Sequence, residues 1–68
     1  MLKQIMVNAA RKHAEAEIEL HKANIEVYMQ QVVGIGEHSD IIETIQKELD
    51  KMATAHDRLE MLNKYFKD

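Results

Sequence analysis

The chain has no cysteine, no proline and no tryptophan, and glycine occurs only at Gly34 and Gly36. Without cysteine there are no disulfides and no thiolate metal sites. The lack of cysteine also fits a reducing compartment. Without proline, and with glycine confined to one place, little interrupts a helix on either side of residues 34–36. Aromatic rings are confined to Tyr28, Tyr65 and Phe66, too few to offer a stacking platform for bases.

What remains is 68 residues rich in Ala, Glu, Lys, Gln, Leu, Ile and Met, with a formal net charge of −3. Chains of this length rarely draw more than a few kcal/mol from one core unless a cross-link, a metal or association helps. Acidic and basic residues occur in both halves, and no basic run could neutralise a series of phosphates. Nucleic-acid binding is therefore not expected. The opening Met1–Lys12 segment carries charges and Asn8 within its apolar stretch, so it reads neither as a secretory leader nor as a membrane span. The expectation is a soluble, cytoplasmic protein that does not enter membranes.

The composition predicts an all-α fold of one domain, an antiparallel two-helix hairpin over residues 1–68. Helix one runs over about 2–33 and ends where Gly34 can take a left-handed C-terminal position, with Ile35 supplying the apolar contact of a Schellman stop. A turn over about 34–38 follows. Helix two covers about 39–66, with Ser39 or Asp40 as the cap and Asp40 and Glu43 spaced as a capping box. A short connection of this kind joins antiparallel neighbours.

The apolar residues of helix two form one stripe: Ile42, Ile45, Leu49, Met52, His56, Leu59 and Phe66, with Ile41 and Leu62 at its margins. Alternating steps of three and four residues make it a seam against one other helix. Helix one carries two sectors. Val7, Ala10, Ala14, Ile18, Ile25, Tyr28 and Val32 fall together, so Ile18, Ile25 and Tyr28 are expected to meet helix two. Leu2, Ile5, Met6, Ala9, Ala16, Leu20, Ala23 and Val27 fall nearly opposite, and helix two cannot cover both. The second sector would be an apolar stripe roughly 40 Å long, and stripes of that extent mark interaction sites. Alanine at 9, 16 and 23 would let another helix approach closely. The expected completion is a homodimeric four-helix bundle whose interface uses Leu2, Met6, Ala9, Ala16, Leu20, Ala23 and Val27.

Chemistry is thinly represented. A turn near residue 36 would bring His13 level with His56, each followed four residues on by a carboxylate, Glu17 and Glu60. Two His-x-x-x-Glu pairs could offer nitrogen and oxygen ligands to zinc. However, the Glu-x-x-His signature of di-metal bundles is absent, and His with Glu at i+4 is a common surface pair. The reading is therefore His13 and His21 at borders, His56 as a hydrogen-bonded seam histidine, and no metal or cofactor. Ser39 is the only serine and is better explained as a cap, and Thr44 and Thr54 on helix two are the only threonines, so nucleophilic catalysis has little support. Gly34-Ile35-Gly36 lacks the strand and third glycine of a dinucleotide fingerprint. An enzyme is not expected.

Two stretches carry a resemblance. Val33-Gly34-Ile35-Gly36-Glu37-His38-Ser39-Asp40 and Asp57-Arg58-Leu59-Glu60-Met61-Leu62-Asn63-Lys64-Tyr65-Phe66 resemble short helical-hairpin proteins of T4-like tailed phages of marine cyanobacteria. The resemblance implies a viral origin and a host-cytoplasm setting, and it carries over no catalytic or binding residue. The function expected is that of a small interaction protein, an adaptor, assembly factor or virion component that pairs with itself and with a host or virion protein. The alternatives are a regulator that docks on a larger host enzyme and, third, a metal-binding bundle.

Overall fold

A computed structural model describes residues 2–31 and 38–67, all but the last two of them helical. Helix α1 is Leu2–Gln31 and helix α2 is His38–Tyr65. Among the described residues there is no strand. The two helices pack lengthwise into a rod with extents of 54 × 15 × 12 Å. The contacts Arg11–Asn63, Glu17–Arg58 and His21–Glu48 show the antiparallel arrangement, because numbers rise along one helix as they fall along the other. The glycine stop at Gly34, the Ile35 contact and the seam place given to Val32 lie outside the described residues.

Helix α2 already includes His38, so Asp40 sits inside the first turn and does not cap it. There its carboxylate suits the positive end of the helix dipole, as Lys64 suits the negative end in the last turn. The far end continues one step past Tyr65, with the Phe66 amide donating to the Leu62 carbonyl at 3.0 Å. Thr44 and Thr54 donate their hydroxyls to the carbonyls of Asp40 and Asp50 one turn back, which satisfies both side chains within the helix. Helix α1 has no acidic residue in its first turn and no basic residue in its last. It depends on propensity and packing and gains nothing from its dipole.

The seam is a doubled heptad. On α1 the partly or fully buried positions include Gln4, Val7, Arg11, Ala14, Ile18, His21, Ile25 and Tyr28, in alternating steps of three and four. On α2 they are Ile41, Ile45, Glu48, Met52, Ala55, Leu59 and Leu62, joined by Thr44 at the edge. Among the described residues, Ala14, Ile25 and Ala55 are the buried ones, at 2%, 6% and 1% exposure. Two of these three are alanines, which is how helices of this length approach closely along the middle of the rod.

This corrects the seam expected for α2. Ile45, Met52 and Leu59 lie in it, but Ile42, Leu49 and Phe66 are about half exposed and His56 is exposed. Beside the row Ile45–Met52–Leu59, two flanking rows both keep the three-four step: Ile42–Leu49–His56 on one side and Ile41–Glu48–Ala55–Leu62 on the other. Hydrophobicity alone chooses the first. The fold uses the second, because Ala55 admits a close neighbour and Glu48 finds polar partners on α1.

Candidate functional site

A polar cluster inside the seam is built from α1 and α2 together. Glu48 accepts from the Asn24 amide at 2.8 Å through Oε1, and its Oε2 lies 2.7 Å from His21 Nδ1. His21 and Glu48 side chains are both only 12% exposed. His21 and Asn24 are three residues apart, so one turn of α1 presents both to a single carboxylate. Burial works to raise the Glu48 carboxyl; hydrogen bonds from Asn24 and His21, with the positive charge of His21 and Lys51, outweigh it and hold it below its ordinary value. His21 is thus the histidine of the seam, and His56 is not. The cluster has a proton-bearing ring and a carboxylate, but both are engaged with each other. It ties the two helices together at one level of the rod.

A second group lies toward the open end. Glu17 Oε1 is closed off from solvent between His13 Nδ1 at 3.2 Å and Arg58 Nη1 at 3.7 Å, and it makes no hydrogen bond among the described residues. These three side chains border an open groove of about 540 Å³ whose floor is apolar, with Ala10, Ala14, Met61 and Leu62 among its lining. His56 lines a different groove, with Ile18, Leu49 and Met52. His13 and His56 therefore open onto separate grooves, and Glu60 borders neither. Among the described residues, no three His, Asp or Glu side chains are grouped so as to hold a metal ion. The arrangement of His13, Glu17, His56 and Glu60 around one ion is not what the helix pairing produces. Its physical reason is the rotated seam, which turns His56 outward.

The largest chemical feature is the back of α1. Leu2, Met6, Leu20 and Val27 are 70%, 63%, 56% and 53% exposed, and Ala9, Ala16 and Ala23 are exposed beside them. With His13 these residues step along α1 by four and three without a break, from Leu2 through Met6, Ala9, His13, Ala16, Leu20 and Ala23 to Val27. This is a second heptad stripe, exposed along α1, with only His13 also bordering the groove shared with α2 among the described residues. Its rims carry Ile5, Lys12, Glu19 and Glu26 on one edge, and Lys3, Ala10, Glu17 and Asn24 on the other. The face has an apolar centre, small residues at seven-residue spacing, and charged borders, which are the parts of a helix–helix interface.

The rod has a large surface for its mass. A folded monomer of 7.9 kDa exposes about 4,400 Å² by the usual scaling of surface with mass. This chain exposes 5406 Å². The excess of about 1,000 Å² accompanies the elongated shape, 54 × 15 × 12 Å, in which two helices enclose little core.

Among the described residues, no helix is long and apolar enough to cross a membrane. No protein-family model, no curated protein and no solved structure matches the chain.

Proposed function

We propose that this chain is a small helical interaction protein that works by association and carries out no chemistry of its own. In this reading it pairs with a second copy into a four-helix bundle and presents the remaining surface as an adaptor, assembly factor or particle component. The observation that carries the reading is the second, exposed heptad stripe on α1, from Leu2 to Val27. A stripe of this length on a chain with so little buried core is where association supplies the missing burial. The polar groups that could have done chemistry support the same reading. Glu48, His21 and Asn24 are bonded to one another across the seam, and the two threonine hydroxyls are bonded to the backbone.

The test is Leu20→Glu, which places a carboxylate in the middle of the stripe without touching the seam with α2. The wild-type chain should run as a dimer by light scattering, and the variant should run as a monomer or lose helix. An unchanged mass and melting curve in the variant would overturn the assignment of the stripe. If the purified wild type is a helix-poor monomer that gains helix only with another protein, the stripe belongs to that partner, and the chain acts as a regulator docked on it.

A further inference from the structure

The stripe on α1 has a direction, and the direction comes from charge. Residues 2–14 hold Lys3, Arg11 and Lys12 and no acidic residue, whereas residues 15–27 hold Glu15, Glu17, Glu19 and Glu26 against Lys22 alone. This order opposes the one a helix dipole favours, which places acids first and bases last. Nor does α2 compensate for it. The half of α2 beside the acidic half of α1 is itself acidic, with Asp40, Glu43, Glu48 and Asp50 against Lys47 and Lys51, and the half beside the basic end carries Asp57 and Glu60 against Arg58, Lys64 and Lys67. Along the described residues, the hairpin is a rod positive at its open end and negative toward the turn.

We propose that two copies pair back to back through α1, antiparallel, about a two-fold axis between residues 14 and 15. The proposal rests on the self-association reading above and adds the orientation and register of the pair. In an antiparallel helix pair each large position of the stripe lies level with a position of the other row. Here that places Leu2 opposite the partner's Val27, Met6 opposite the partner's Ala23, Leu20 opposite the partner's Ala9, and His13 opposite the partner's Ala16. Three of these four layers combine a long side chain with an alanine, so the spacing between the helices stays even. On the rim, the same register sets Lys12 beside the partner's Glu19 twice over, once on each side of the axis. The open end of each rod then lies along the acidic end of the other.

The competing arrangements are worse on the same grounds. Sliding the pair by one heptad brings Glu19 against the partner's Glu19 in one direction, and Lys12 against the partner's Lys12 in the other. A parallel pair stacks Leu20 on Leu20 and Met6 on Met6 while facing alanine with alanine, so the layers cannot share one spacing. It also aligns like-charged ends. Like charges juxtaposed across an interface disfavour the wrong partner or register. The stripe itself supplies the surface, since Leu2, Met6, Leu20 and Val27 are each more than half exposed.

Cysteine cross-linking tests the register cleanly, because the chain has no cysteine of its own. Ala9→Cys and Leu20→Cys should form a disulfide when the two variants are mixed and oxidised in air. Neither should cross-link to its own copy, because identical positions would then lie roughly 16 Å apart along the axis, beyond the Cα separation of about 7 Å that a disulfide tolerates. Met6→Cys with Ala23→Cys provides a second pair in case Leu20→Cys disturbs the fold. The rim contacts are tested by charge reversal: Lys12→Glu should weaken dimerisation by roughly tenfold, and Lys12→Glu with Glu19→Lys should restore most of it. Self-cross-linking of Ala9→Cys would overturn the antiparallel register. So would a dimeric mass without cross-linking by either mixed pair, while leaving self-association standing. A monomeric mass at every concentration would overturn both.

Discussion

Placing the same leucine at two neighbouring alanines of α2 separates the seam from the surface. Ala55 is 1% exposed, whereas Ala53, two residues earlier on the same helix, is exposed. Ala55→Leu adds three carbons at a position with no room for them, and overpacking of this kind costs about 1–3 kcal/mol. Ala53→Leu changes helix propensity equally and meets solvent, so its effect should stay within about 0.5 kcal/mol. For a domain of this size each kcal/mol moves the melting temperature by roughly 4–8 °C. Ala55→Leu should therefore melt some 5–20 °C below the wild type, and Ala53→Leu within a few degrees of it. The assay is thermal melting followed by far-ultraviolet circular dichroism, with all three proteins at one concentration because association makes melting concentration-dependent. If the two variants melt together, Ala55 is not the point of close approach, and the seam assigned to α2 is wrong.

The Glu48 carboxyl is held below its ordinary value in the fold. A group of that kind contributes stability that is fully present above its unfolded value, about 4.3, and lost as pH falls through the lower folded value. Urea midpoints should therefore decline on acidification below about pH 4, and Glu48→Gln should show a shallower decline; parallel slopes for the two proteins would remove Glu48 as the cause. At the open end, Arg58 is 63% exposed and 3.7 Å from Glu17. Glu17 Oε1 is shielded, but its partner stays largely in water and a pair so placed contributes about 1 kcal/mol, so Arg58→Ala should lower the melting temperature by only a few degrees, and a collapse of the fold would mean that the pair carries far more than its geometry suggests.

The hairpin was legible because its signals are negative ones. Two long stretches without helix breakers, with both glycines between them, leave few other folds open to residues 2–31 and 38–65. On α1 the period alone placed Ile18, Ile25 and Tyr28 on the face that α2 covers, and Leu2, Met6, Leu20 and Val27 on the face that it leaves exposed. On α2 the period was ambiguous by one row. Ranking by hydrophobicity favours Ile42 and Leu49, while the fold buries Ala55 and most of the Glu48 side chain. A charged residue and an alanine are poor core candidates by composition, and what makes them good ones lies on the other helix. His21 and Asn24 sit one turn apart on α1, level with Glu48, and together they satisfy its carboxylate. The unbroken row Ile41, Ile45, Glu48, Met52, Ala55, Leu59 and Leu62, matched against polar residues at the same level of α1, is the signal that would have found this seam. The histidine exchange follows from the same rotation: His21 turns inward with Glu48, and His56 turns out.

In the proposed reading, a second copy completes the core of this protein. The measurement that tests it most directly is the mass of the wild-type chain by light scattering after size exclusion, over a hundredfold range of concentration, with helicity recorded on the same samples. The account predicts a highly helical species of twice 7.9 kDa, dissociating with loss of helix on dilution. A fully helical species of 7.9 kDa at every concentration would contradict it.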